Sequence, residues 1–172
     1  MNATTQNRTI ALSIVTRDGE FMAHYSERGL AGVNFPSQRN GPPRSPNVAP
    51  SAQIRRWHRA TTAAIKQTLA GREAKNPPPL DFSGGTEFQR AVWAAMREIP
   101  TGQTRSYGEV ARLIGRPKAV RAVGGACGAN PIPMLVPCHR VLAANKKIGG
   151  FSGGLDWKRR LLEREGVEFK EP

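Results

Sequence analysis

The sequence predicts a mixed α/β protein: a small N-terminal antiparallel sheet with a covering helix, followed by a mainly helical unit that contains a helix-turn-helix. Three observations predict it. Apolar residues alternate with period two near the N-terminus, they recur at helical spacing from Ser51 onward, and a proline-rich break separates the two halves. The chain has 172 residues, enough for one ordinary domain or two small ones sharing an interface without a metal or disulfide to hold the core. With 38% hydrophobic and 23% charged residues it does not have the composition of a disordered chain, and no apolar run approaches membrane-spanning length. The opening MNATTQNRTIALSIV lacks the basic region and unbroken apolar stretch of a secretory signal, which predicts an intracellular, cytoplasmic protein.

The elements follow in order. Ile10, Leu12 and Ile14 alternate with Thr9, Ala11 and Ser13, the pattern of a strand with one buried face. Arg17-Asp18-Gly19 supplies a turn, Glu20 to Tyr25 a second strand, and Gly29 to Phe35 a third. Pro36 to Pro50 holds five prolines with no periodicity and reads as an exposed loop. Ser51 can cap a helix whose apolar positions Ile54, Trp57, Thr61, Ala64, Ile65 and Leu69 cover the sheet, with Gly71 placed to end it. Asn76-Pro77-Pro78-Pro79 and the residues to Gly85 form a stiff linker, since consecutive prolines favour extended backbone. The boundary is placed there, giving an N-terminal α/β unit over 1–80 and a C-terminal unit over 81–172.

Beyond the linker the signals turn helical. Thr86-Glu87-Phe88-Gln89 has the capping-box form and opens a helix that Pro100-Thr101-Gly102 breaks. A second box, Ser106 to Glu109, opens a short helix through Val110, Leu113 and Ile114. Pro117 suits the first turn of the next helix, Lys118 to about Ala129, so a tight Gly-Arg-Pro turn joins two short helices. That second helix carries almost no bulk, and Gly124, Gly125 and Gly128 together cost roughly 2 to 3 kcal/mol of helix propensity relative to alanine. Two explanations fit. Either the helix packs closely on a neighbour, or it must enter a narrow space such as a nucleic-acid groove, with Arg121 as its one long projection.

Charge narrows the choice of partner. The chain has 26 basic against 13 acidic residues, a formal charge of +13, which argues for an anionic partner though not for any fold. Between Ile99 and Lys147 stand Arg105, Arg112, Arg116, Lys118, Arg121, Arg140, Lys146 and Lys147 against Glu109 alone. That concentration favours a phosphate-facing surface. The two cysteines, Cys127 and Cys138, exclude a disulfide framework; both lie in the C-terminal unit, and His24 and His58 have no cysteine partners near them, so no metal and no cofactor is expected. Cys127 reads as a buried small hydrophobe. Cys138 differs, because it follows the apolar run Met134-Leu135-Val136 in a proline-fixed turn beside His139 and Arg140, a setting for a lowered thiol pKa and a thiolate nucleophile.

GTEFQRAVW, IPTGQTRSYGEVA, RAVGGACGANPIPMLVPCHRV, GGFSGGLDWKRRLL and EREG, spread over Gly85 to Gly166, resemble in order and spacing the O6-alkylguanine-DNA alkyltransferases, also called methylated-DNA–protein-cysteine methyltransferases. The resemblance implies a ribonuclease H-like outline for the N-terminal unit and a winged-helix-like setting for the helix-turn-helix. It implies that Cys138 accepts an alkyl group, that His139 is its base, that Glu165 orients the histidine, and that Asn130 ties the recognition helix to the active-site turn. Tyr107 would reach a flipped guanine and Arg121 would replace it in the stack, with Ala122, Gly124, Gly125 and Arg140 also toward DNA. The Cys138 and Val141 carbonyls and the Ser152 N–H would meet the base, and Met134 and Phe151 would wall the pocket. The partner implied is double-stranded DNA containing O6-alkylguanine, bound by a monomer. A damage sensor without transfer and a sequence-specific regulator are the competing readings, and the intact PCHR argues against the first.

Overall fold

The computed structural model describes residues 9–36 and 49–171; most of the proline-rich stretch, and what was expected of it, lies outside them. Strands β1 (Ile10–Thr16), β2 (Gly19–Tyr25) and β3 (Leu30–Asn34) form an antiparallel sheet in that order, with Ile14 opposite Phe21 and Leu12 opposite Ala23. The expected turn joins β1 to β2. Helix α1 (Ala52–Leu69) lies on β1 and β2, and its N-cap Ser51 Oγ accepts from the Ile54 N–H at 3.2 Å. Thr61, Ala64, Ile65, Thr68 and Leu69 are its buried face.

The proline linker does not stand free. The Leu30 N–H donates to the Pro79 carbonyl at 2.8 Å and the Asp81 N–H to the Leu30 carbonyl at 2.7 Å, so the chain past Pro77 runs along β3. Hydrophobic contacts also cross residue 80. Phe21 of β2 and Phe35, which follows β3, meet Trp157 with centroids 5.3 and 5.0 Å apart, and Phe35 meets Phe151 at 5.6 Å. One core thus serves both halves.

Helix α2 (Glu87–Arg97) begins at the Thr86/Gln89 box and α3 (Tyr107–Leu113) at the Ser106/Glu109 box, both with their reciprocal bonds made. Strand β4 (Arg105–Ser106) pairs in parallel with β5 (Val141–Leu142) and holds the start of α3 beside the chain that follows Cys138. Helix α4 (Val120–Gly128) starts two residues later than expected. Pro117 and Lys118 are instead consumed by a turn, closed by Arg116 N–H to the Ala111 carbonyl and Ala119 N–H to the Arg116 carbonyl, and Ala119 offers no side-chain cap. The last helix, α5 (Leu155–Arg164), buries Trp157, Lys158, Leu161 and Leu162. No helix among the described residues is long and apolar enough to cross a membrane.

The end of α1 is fastened to the end of α5. Arg164 donates to both Asp18 carboxylate oxygens, at 2.6 and 3.1 Å, and to the Leu69 carbonyl at 3.0 Å. Gly71, at φ +67°, sits so close that a Cβ there would lie 2.0 Å from the Arg164 carbonyl oxygen. Gly71→Ala therefore combines left-handed strain with a backbone clash, and should lower stability by about 1–3 kcal/mol, read as a shifted urea midpoint.

Candidate active site

The site is assembled at the turn after α4. Asn130, 5% exposed, donates from Nδ2 to the Val136 carbonyl at 2.8 Å and accepts the Ile132 N–H at 3.0 Å. Its side chain also bonds to Cys138. The turn then tightens through Cys138 N–H to the Val136 carbonyl and Arg140 N–H to the Pro137 carbonyl, placing Cys138, His139 and Arg140 in one 3-10 turn. All three side chains are buried.

His139 points away from solvent toward the end of α5, where its Nε2 lies 2.9 Å from Glu165 Oε1. Arg140 reaches the same carboxylate through Nε at 3.0 Å and Nη2 at 2.9 Å, and the Gly102 N–H adds a bond to Oε2 at 3.1 Å. Burial alone would lift the Glu165 carboxyl, but the bonds from His139 and Arg140 outweigh it and hold it at about 2. An ionised Glu165 can only accept, so Nε2 carries the imidazole proton and Nδ1 keeps its lone pair. Burial holds the ring neutral. Among the described residues Nδ1 of His139 is the buried side-chain polar atom left without a protein partner.

Cys138 opens onto a cavity of about 280 Å³ lined by Tyr107, Gly124, Cys127, Gly128, Gly150, Phe151 and Ser152. Its thiol does not have the lowered pKa expected for it. Burial pushes it up to about 11, against the partial help of the Asn130 bond and the charge of Lys158, so the resting sulfur is protonated. Lys158 was not singled out from the sequence. It is fully buried on α5, donates to the Val141 carbonyl at 2.7 Å and the Gly150 carbonyl at 3.1 Å, and is pulled down by burial to about 8.

The far wall is held by contacts with the rest of the chain. Lys158 pins Gly150, the Phe151 ring packs on Phe35, and Gly153 lies so near Phe35 that a Cβ would come within 2.6 Å of its ring. The Tyr107 hydroxyl, pushed up to about 12 by burial and the neighbouring thiols, stays protonated beside Gly150. On the other side, Arg121, Ala122 and Gly125 are exposed on α4. A Cβ on Gly124, Gly125 or Gly128 would meet nothing within 4 Å. Close helix packing therefore does not explain these glycines; the space beside α4 is open.

The chain is similar in sequence and in fold to known proteins. A family model described as 6-O-methylguanine DNA methyltransferase, DNA binding domain, matches residues 87–167. The methylated-DNA–protein-cysteine methyltransferase of Methanosarcina mazei is 58% identical over 111 residues, 58% of this chain and 70% of that protein. The chain belongs to the methylated-DNA–protein-cysteine methyltransferase family. The Methanosarcina acetivorans methyltransferase is 60% identical over 82 residues, 48% of this chain and 53% of that protein, so the match spans about half the length of that relative. The crystal structure of Mycobacterium tuberculosis OGT in complex with DNA superposes with a TM-score of 0.74 at 37% identity, covering 89% of this chain and 90% of that one. The O6-methylguanine-DNA methyltransferase of Pyrococcus kodakaraensis superposes with a TM-score of 0.64 at 26% identity, over 92% and 99% of the two chains.

Two residues of this methyltransferase-family chain stand elsewhere than the sequence reading put them. Arg140 does not lie on the exposed surface: it is 4% exposed and spends its guanidinium on Glu165, Thr101 Oγ1 and the Ile99 carbonyl. Met134 does not line the cavity; it packs in the main core at φ +75°. Cys127 borders the cavity instead. Val141 is buried on β5, with its carbonyl turned to Lys158, and Ser152 and Phe151 are at the cavity as expected.

Proposed function

We propose that the protein repairs alkylated DNA by moving the alkyl group from O6 of guanine irreversibly onto Cys138. The observation that carries this reading is a buried thiol on a cavity next to an imidazole whose acceptor nitrogen is unengaged and whose other nitrogen is held by an ionised carboxylate. His139 Nδ1 takes the thiol proton, directly or through one water, and Glu165 stabilises the imidazolium. Cys138 Sγ attacks the alkyl carbon, the carbon–O6 bond breaks, and the electron pair leaves on guanine, which takes up a proton. The thioether has no easy return path, so each molecule acts once.

A nucleobase in a duplex cannot present O6 to a buried sulfur, so it must be rotated out, at a cost of a few kcal/mol. Arg121 on exposed α4 fills the gap it leaves, Tyr107 contacts the everted base, and the Ser152 N–H meets O6. The Cys138 and Val141 carbonyls take the exocyclic amine; Val141 gives one lone pair to Lys158 and retains a second. We read residues 81–172 as the DNA-binding and transfer unit, with α3 and α4 a winged-helix-like pair docking in the minor groove, and residues 1–80 as its ribonuclease H-like support. The protein works as a cytoplasmic monomer on double-stranded DNA.

Intact-mass measurement after exposure to an O6-methylguanine duplex tests this. One methyl should appear on the wild-type chain and none on Cys138→Ser. A wild-type chain that binds the duplex and stays unmodified defeats the reading. A second expectation concerns the open glycines. Gly125→Ala should raise stability by about 1 kcal/mol in urea melts, because it improves helix propensity without a clash. It should also weaken duplex binding about tenfold in titrations, since the added methyl occupies groove space.

A further inference from the structure

We infer that Glu73 is a positioning residue for alkyl transfer: through the Thr101 hydroxyl it fixes the Arg140 guanidinium on Glu165, and so keeps that carboxylate aimed at His139. The inference rests on the transfer reading above and adds to it a residue distant in sequence from the PCHR turn. Glu73 follows α1 on a segment that folds back on the helix, with the Arg72 N–H on the Gln67 carbonyl at 3.0 Å and the Lys75 N–H on the Gln67 side-chain oxygen at 2.8 Å. From there its Oε2 accepts both donors of Thr101, the backbone N–H at 3.1 Å and the hydroxyl.

The direction of these bonds is forced. A guanidinium only donates, so Thr101 Oγ1 accepts from Arg140 Nη2 at 2.9 Å and turns its own hydrogen to the Glu73 carboxylate. The same Nη2 donates to Glu165 Oε1 at 2.9 Å, the oxygen that faces His139 Nε2. Glu73 also holds the turn between α2 and β4, which gives the buried Arg140–Glu165 pair three contacts. These are the Ile99 carbonyl to Nη1 at 2.6 Å, Thr101 Oγ1 to Nη2, and the Gly102 N–H to Glu165 Oε2 at 3.1 Å. The Thr101 N–H that Glu73 accepts lies in the middle of them. Glu73 is exposed, so water screens its charge; what it contributes is the direction of hydrogen bonds.

The test uses the full chain and a saturating O6-methylguanine duplex, with single-turnover methyl transfer followed by intact mass at pH 7 and pH 9 and duplex affinity measured alongside. At pH 7 Glu73→Ala should transfer about threefold slower and Thr101→Val about tenfold slower, the effect of losing one or more net hydrogen bonds, with affinity unchanged. Glu73→Gln and Thr101→Ser keep the acceptor and the hydroxyl and should recover most of the loss. The deficits should shrink at pH 9, where more of the Cys138 thiol, at about 11, ionises without the relay. Lys158, Tyr107 and Cys127 beside Cys138 are common to every variant and cancel in the comparison. Urea melts establish folding, and the exposed Glu73 pair decides if Thr101→Val is unstable. A folded Glu73→Ala chain with the wild-type rate overturns the inference, as does a deficit equal at both pH values or a Glu73→Gln chain as slow as Glu73→Ala. A wild-type chain that binds the duplex and gains no methyl overturns the transfer reading itself, and this inference with it.

Discussion

Glu165→Gln is expected to slow alkyl transfer at pH 7 about a hundredfold to ten-thousandfold, the range for a positioned acid–base partner. The amide oxygen can still accept the Nε2–H bond, while the amide nitrogen cannot accept the Gly102 and Arg140 donors that Oε2 held, so charge and those bonds are lost together. Without the carboxylate the imidazolium that forms on proton transfer is unsupported, and the Cys138 thiol, pushed up to about 11 by burial, must ionise unaided. The rate of the variant should therefore climb nearly tenfold per unit from pH 7 toward pH 10, as the thiolate fraction does, while the wild-type rate stays far flatter. Single-turnover mass kinetics across that range measure both. A variant with a flat profile and wild-type rate would remove Glu165 from the relay.

Arg140→Met should cost about 3–5 kcal/mol of stability, the penalty for leaving one member of a buried ion pair without its partner. Its guanidinium supplies bonds to Glu165, Thr101 and the Ile99 carbonyl, none of which a thioether replaces. The effect depends on pH with a defined sign. Glu165 is depressed from its ordinary 4.5 to about 2, so it contributes stability that is fully present above pH 4.5 and is lost as pH falls through 4.5 toward 2. Removing Arg140 lets the folded carboxyl rise, which narrows that window. Urea melts of both proteins at pH 7 and pH 3 should show a smaller difference at pH 3.

The parts of the fold legible in the sequence are those fixed by local chemistry. The capping boxes at Thr86 and Ser106 are two-residue devices that act within one turn, and both form as read. Alternation near Ile10 and the Asp-Gly turn are likewise local signals, and the hairpin forms in the register they indicate. The start of α4 was misplaced because proline tolerates both a helix's first turn and the turn before it, and tertiary packing decides between them. At the site, the cysteine, histidine and glutamate could be found as a motif, yet the direction of a side chain is set by what surrounds it. A basic residue in a basic stretch looks outward until Glu165, met from a distant helix, is seen to turn Arg140 in. Lys158 was hidden for the same reason: its carbonyl partners come from residues 141 and 150. The thiol's raised pKa follows from burial, which no dipeptide reports.

Glu165 is gripped from outside its own helix. Its donors come from the turn after α2 and from the PCHR turn, and the helix terminus that carries it is locked by Arg164 to α1 and the first hairpin. No single segment can peel away and leave the others in register, so the proton path has no low-energy partial opening of its own. On heating, loss of competence and loss of the native state should arrive together, as one cooperative melt.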